Sequence, residues 1–186
     1  MHEFLYKFYL IAAGKRAYHV HKKLFASKLI TRNVKLQLYN TLIRPTVMYA
    51  SETRVLKENT INKLMIFERK IMRKILGPIR ADYGYWRIKT NQEINDILKG
   101  QNIIGFIKKQ RLNWFSHVER MAEDNVQKIK RWKPMSKRPI VRPKRRWEDD
   151  VLEGIKSMNV RNWKNVAQNR DRWKKIVEQA RTLNRL

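Results

Sequence analysis

Residues 60–78 read TINKLMIFERKIMRKILGP. Ile61, Leu64, Met65, Ile71, Met72, Ile75 and Leu76 recur at helical spacing and form one apolar stripe. Lys63, Arg69, Lys70, Arg73 and Lys74 fill the remaining faces. Thr60 is a good N-cap, and Gly77-Pro78 supplies a left-handed stop followed by a residue that cannot continue a helix. A stripe with methionines at this spacing is core packing, because thioethers fill irregular gaps between apolar neighbours. This stretch sets the fold class: the spacing predicts a helix over 61–76, and the flanks repeat the pattern.

Upstream, residues 4–29 predict one long helix, loosened at Gly14, with Leu10, Ala13, Ala17, Val20, Leu24 and Ile30 on its inner side. Thr31 caps a second helix whose inner residues are Val34, Leu38, Leu42 and Val47. Pro45 forces a kink or restart near Ile43, since proline disfavours helical geometry in the residue before it. Downstream, residues 79–89 are irregular, with Tyr83, Tyr85 and Trp86 close together. Thr90-x-x-Glu93 is a capping box opening a short helix that ends at Gly100. The next helix runs from about Ile103 to Met121, with Ile103, Ile107, Trp114, Val118 and Met121 on one face.

Trp147 begins another helix, and Glu148, Asp149 and Asp150 in its first turn complement the helix dipole. A break at Met158-Asn159 leads to a last helix from Trp163, and these two elements predict a helical hairpin over 147–186. No strand is expected anywhere. The reading is all-α: a helical bundle over 1–78, a connector with a long helix over 79–127, a basic linker over 128–146, and the hairpin.

The formal net charge is +27 over 186 residues. Self-repulsion on that scale disfavours a compact chain unless a polyanion neutralises it, so nucleic acid is the expected partner. Apolar residues make up 42% of the chain, with six Trp, six Phe and seven Tyr, which is enough for a core and argues against wholesale disorder. There is no cysteine, which excludes disulfides, zinc knuckles and thiol nucleophiles. The apolar run Phe4–Ala13 is interrupted by Lys7 and too short to span a bilayer. An intracellular setting, nucleus or cytoplasm, and no membrane partner are the expectations.

Ten of the Lys and Arg residues lie between 128 and 146, in KIKRWKPMSKRPIVRPKRR, with no acid among them. Pro134, Pro139 and Pro143 keep a helix from running through. An extended, cationic stretch bounded by Trp132 and Trp147 is suited to phosphate contacts and unsuited to a core. Trp132, Tyr83, Tyr85 and Trp86 are available to stack on unpaired bases. No recognition helix stands out, so binding is expected to be largely independent of sequence. The histidines carry no metal reading: His19 and His21 are too close in sequence to share a helix face, and His117 is read as a packing or hydrogen-bonding residue.

Several stretches, taken in order, resemble one family. IAAGKRAY, KKLFASKLITRNVKLQLYNTLIRPTVMYASET and FERKIMRKILGP look like the region after the polymerase palm of LINE-type (non-LTR) retrotransposon reverse transcriptases. WRIKTNQEI, QRLNWFSHVERM, KRPIVRPKRRWEDDV and NWKNVAQNRDRW are similar to the tail that follows it. The resemblance implies a thumb-like bundle up to about residue 78, lying along a template–primer duplex, then a basic extension that holds element RNA or target DNA. It places Lys35, Arg44 and Tyr49 in the thumb and Arg111, Trp114, His117 and Arg120 in the signature of the following helix. The nucleic-acid-binding set it implies is Lys35, Arg44, Arg111, Arg120, Lys130, Arg131, Trp132, Lys137, Arg138, Arg142, Lys144, Arg145 and Arg146. The chain departs from the family at Arg54, where Trp is usual, and at Val141 and Ser116, where Gly is usual. A Cβ at 141 argues against insertion into a narrow minor groove.

Polymerase chemistry needs clustered carboxylates holding two metal ions, normally an aromatic-x-Asp-Asp turn between strands. Asp149-Asp150 is the only Asp pair, and it sits at a helix start. The expectation is therefore a C-terminal fragment beginning just past the palm, as from a truncated element copy. On this reading it has no catalytic residue, metal or cofactor of its own, and a palm-containing polymerase chain is a conceivable associate. The alternatives are a metal-dependent nuclease using Glu148, Asp149 and Asp150, a polymerase completed in trans, and a decayed reading frame with no selected role.

Overall fold

A computed structural model describes residues 2–53, 55–81, 84–121 and 147–180, with side chains from Tyr9 onward. Helices dominate it, and the fold is all-α. The chain divides into two compact units, Met1–Ala50 with Lys57–Ile104, and Ser51–Leu56 with Gly105–Leu186.

In the first unit, α1 (His2–Val20) and α2 (Lys22–Ala26) replace the one helix expected over 4–29. The break falls at His21 and not at Gly14. Gly14 is a contact residue: a Cβ there would lie 2.2 Å from Val47 Cγ2 and 2.9 Å from Phe67 Cζ. The buried row is Leu10, Gly14, Tyr18 and Phe25, with Tyr18 and Phe25 stacked at 5.1 Å. Val20, expected inside, is 76% exposed, and Leu24 is also exposed. Glycine adds no apolar side chain to the periodicity, so the buried row that runs through Gly14 leaves a weaker pattern in the sequence than the exposed one ending at Val20 and Leu24.

Thr31 caps α3 (Arg32–Leu38), accepting from the Val34 N–H at 3.4 Å. The chain then widens into a π turn over Tyr39–Ile43 before α4 (Arg44–Met48). The Arg44 N–H donates to the Tyr39 carbonyl, five residues back. Pro45 lacks an N–H and would crowd the preceding turn of a regular helix, and the wider turn relieves this. The Thr41 and Thr46 hydroxyls donate to the Gln37 and Leu42 carbonyls, both at 2.9 Å. The buried row is Tyr39, Ile43 and Val47: Val47 is inside as expected, while Tyr39 and Ile43 take the places expected for Leu38 and Leu42, and Val34 is exposed.

Next, α5 (Glu58–Leu76) buries Leu64, Phe67, Ile71, Met72, Ile75 and Leu76. It begins at Glu58, two residues before Thr60, with Lys57 at the N-cap position making no side-chain cap bond, and ends at Gly77, whose φ of 69° is left-handed. Beyond it lies a short antiparallel ladder, β1 (Ile79–Arg80) with β2 (Trp86–Arg87), where no strand was expected. The capping box of α6 (Asn91–Ile97) forms in both directions: the Glu93 N–H donates to Thr90 Oγ1 at 3.3 Å, and the Thr90 N–H to Glu93 Oε2 at 2.8 Å.

The second unit is built on α7 (Ile103–Arg120), apart from its first two residues, and on α8 (Trp147–Ser157), α9 (Trp163–Gln168) and α10 (Arg170–Ala180). The last expected helix is split at Asn169, whose Oδ1 accepts from the Asp171 and Arg172 N–H groups at 3.1 and 3.0 Å and restarts the coil. Leu112 and Phe115 of α7 enter one core with Val151, Ile155, Ala167, Trp173, Val177 and Ala180. The C-terminal helices therefore close around α7 as well as on each other. The Trp173 indole N–H donates to the Leu112 carbonyl at 3.0 Å, and the Phe115 ring lies 5.1 Å from that of Trp163. Trp114, expected inside, is 39% exposed, because Phe115 takes the inward position.

Candidate nucleic-acid interface

In the first unit Glu68 and Glu93 are held by donors of the scaffold, while Glu58 and Asp96 are exposed. Glu68 is buried and accepts from the Tyr39 hydroxyl at 3.0 Å and the Ile103 N–H at 2.9 Å. Burial pushes its carboxyl above the ordinary value, while those two hydrogen bonds and the Arg44 and Arg69 charges pull it back. Burial and the adjacent Glu68 charge push the Tyr39 phenol well up. Glu93 is gripped by both Arg87 Nη atoms, at 2.9 and 2.5 Å. That contact and the capping bonds from Thr90 bring its carboxyl down to about 2.

The cations of this unit are mostly at the surface. Lys22, Lys23, Lys28 and Lys70 are exposed, and exposed Lys74 sits 4.8 Å over the Tyr18 ring. Arg73 is committed: Nε donates to the Lys89 carbonyl at 3.1 Å and Nη2 to Asn91 Oδ1 at 2.5 Å. Of the residues implied by resemblance, Lys35 and Arg44 are half-buried on the α3–α4 element, and Tyr49 is exposed just past it.

The ladder pairs Arg80 with Trp86 and Ile79 with Arg87. Its alternation is inverted relative to an ordinary half-buried strand. Trp86 and Ile88 point outward, 68% and 72% exposed, while Lys89 between the strand and α6 is 8% exposed and Arg87 turns to Glu93. Tyr85, at the strand start, is exposed too. The sequence WRIK at 86–89 carries the period-two signal of a strand, but says nothing about which side faces the body.

In the second unit Arg111 has a scaffold role. It is 4% exposed, its Nη1 donates to Asp150 Oδ2 at 2.5 Å, and its Nε donates to the Ser51 carbonyl at 3.3 Å. Asp150 also accepts from the Leu56 N–H at 3.5 Å. The guanidinium of Arg111, one of the residues that the resemblance places in the binding set, is thus enclosed in an internal pairing. Lys108, half-buried nearby, has its ammonium pushed below the ordinary value, chiefly by burial, with Asp150 opposing and Arg111 adding. Arg120 is half-buried and donates from Nη1 to the Ala167 carbonyl at 2.8 Å, tying α7 to α9. Burial and the Arg170 charge push its guanidinium below the ordinary value. Lys109 pairs with Glu178, and the Trp147 indole N–H donates to the Glu52 carbonyl at 2.6 Å. Ser116 is buried and donates to the Asn113 carbonyl at 3.0 Å. Lys164, Arg172, Lys174 and Lys175 are exposed.

Lys130, Arg131, Trp132, Lys137, Arg138, Arg142, Lys144, Arg145 and Arg146 lie outside the described residues. Among the described residues, no three or more His, Cys, Asp or Glu come together as a ligand group. Among the same residues, no helix is long and apolar enough to cross a membrane.

The chain is 21% identical, over 158 residues, to an uncharacterized transposon-derived protein of Caenorhabditis elegans. The match covers 81% of this chain and 56% of that protein, so the chain spans a little over half the length of its relative. No family model and no solved structure matches. The likeness is to a transposon-derived protein.

Proposed function

We propose that this chain is the post-palm, C-terminal region of a LINE-type reverse transcriptase, holding RNA or DNA through phosphate contacts and performing no chemistry by itself. The observation that carries the reading is the disposition of charge. Glu68, Glu93, Asp150 and Glu178 are each engaged by a donor within the scaffold, whereas Lys22, Lys23, Lys28, Lys70, Lys174 and Lys175 stand exposed. Glu58, Asp96, Asp149, Glu153 and Asp171 are exposed as well, but with a net charge of +27 the cations far outnumber them and the chain presents a positive field to a polyanion. The motifs shared in order with that family, and the transposon-derived relative, support the same reading. Lys35, Arg44 and the basic segment 128–146 are the proposed contacts, and a palm-bearing polymerase chain is the proposed catalytic associate.

The test is fluorescence anisotropy of the purified chain with labelled RNA and DNA oligonucleotides between 50 and 200 mM salt, about the range where counterion release is steepest. The expected log–log slope corresponds to about 5–10 phosphate contacts. Absence of binding at low salt, or an affinity indifferent to salt, overturns the reading. Incubation with Mg²⁺ or Mn²⁺ is expected to leave the strands intact. Cleavage abolished by Asp149→Asn would assign a nuclease instead.

A further inference from the structure

The β1–β2 hairpin is small, yet it is braced on three sides. Its ladder is closed by the Ala81 N–H donating to the Tyr85 carbonyl at 2.9 Å. Arg87 reaches from β2 to Glu93 on α6, and Arg73 reaches from α5 to the Lys89 carbonyl just after β2. Three guanidinium bonds thus hold the inner edge of the strand, and the outer edge is presented in a fixed orientation. That outer edge carries Trp86 and Ile88, with Tyr85 beside them and Arg80 directly across the ladder from Trp86.

Folding normally sends Trp and Ile inward and Arg and Lys outward. This strand does the reverse, leaving a large aromatic surface in water next to a cation. A second copy of the chain is a poor occupant, because two bodies of charge +27 repel. The ladder is only two residues per strand, too short for an added peptide strand to find a row of backbone partners. Flat π faces beside a guanidinium match an unpaired base followed by its phosphate. A base pair inside a duplex offers no such face, since both sides are already stacked.

We propose that Arg80, Tyr85, Trp86 and Ile88 form a stacking platform for unpaired bases of a single-stranded nucleic acid, with Arg80 on the adjoining phosphate. This rests on the nucleic-acid reading above and adds a preference for single strands over duplex. Trp86 carries the stacking, Tyr85 extends it, and the Arg87–Glu93 pair is the positioning element.

The experiment uses the full chain with a labelled 12-nucleotide oligo(dT), a 12-nucleotide oligo(U) and a blunt 12-base-pair duplex at one fixed salt concentration. Trp86→Ala is compared with the natural chain, and Tyr85→Ala serves as the second variant. Stacking losses by alanine substitution correspond to a weakening of about 5-fold to 150-fold per base. The expected result is a loss of that size on the single strands, duplex affinity within about 2-fold, and an unchanged salt slope, because no charge is removed. Exposed Trp86 is expected to leave the thermal midpoint in place, so lost affinity does not report unfolding. Equal losses on single strand and duplex overturn the platform, as does no loss on either. Unchanged oligonucleotide binding with altered sedimentation would make the face a protein contact. If the natural chain binds none of the three probes, the broader reading falls with it.

Discussion

Asp150→Asn is the most informative single change. The carboxylate sits 2.5 Å from Arg111 Nη1, and the two side chains are 12% and 4% exposed. Asparagine keeps the shape but removes the charge, leaving a guanidinium inside the second unit opposite a neutral amide. Breaking a buried pair by removing one partner costs about 3–5 kcal/mol, because the remaining charge stays desolvated. The residual exposure of Asp150 and the surviving bond from Arg111 Nε to the Ser51 carbonyl place the expected value near the lower end, about 3 kcal/mol. Asp149→Asn, at an exposed position one residue earlier, is expected to cost under about 0.5 kcal/mol. Replacing both partners, with Arg111→Met and Asp150→Leu, removes the stranded charge and is expected to recover most of the loss. The assay is urea unfolding monitored by circular dichroism, and Arg111→Met and Asp150→Leu, made singly and together, form a double-mutant cycle with the natural chain. Asp150→Asn within about 0.5 kcal/mol of the natural chain, or a larger effect at Asp149, would refute the scaffold role.

Gly14→Ala is expected to destabilise the first unit by about 1–3 kcal/mol despite alanine's better helix propensity, and Val47→Ala is expected to relieve part of it; denaturant midpoints check both. Glu93 should titrate in carbon-detected NMR near its value of about 2. Because that value is depressed on folding, its contribution to stability is present above the ordinary carboxylate value of 4.5 and is lost as pH falls through about 2. Glu68 has the opposite sign: its value is raised on folding, so its contribution is full below 4.5 and lost as pH rises through the folded value. A peptide covering 147–180 lacks Leu112 and Phe115, and its circular dichroism should show little helix. Neutralising Arg138, Arg142, Arg145 and Arg146 together is expected to weaken nucleic-acid binding more than neutralising Lys63, Arg69, Lys70 and Arg73, since Arg73 already serves the segment 89–91; equal losses would move the main site off the basic stretch.

Helix existence was legible wherever apolar spacing and caps agreed. The stretch 61–76, the capping box at Thr90 and Glu93, and the acidic start at Trp147 all follow from local chemistry that acts within a turn or two. Helix phase was less legible. At Val20, Val34 and Leu42 the apolar residues formed a plausible row, but Gly14 and the π turn selected the neighbouring one. Both devices act through distant contacts, Val47 and Phe67 in one case and Glu68 in the other. The candidate interface divides the same way. Charge and the cluster of aromatics at 83–86 were visible in the sequence. The enclosure of Arg111 was not, because its partners lie 39 and 60 residues away.

A π turn is one residue of surplus stored inside a helix, and here the surplus has a lock. Excising a single residue from positions 40–42 would let the coil run regularly and swing Leu38 toward the place that Tyr39 now fills. Leucine has no hydroxyl, so Glu68 Oε1 would lose the donor it now has 3.0 Å away. The phenol thus acts as a ratchet pawl: its bond to Glu68 favours the frame that turns Tyr39, and not Leu38, toward that carboxylate.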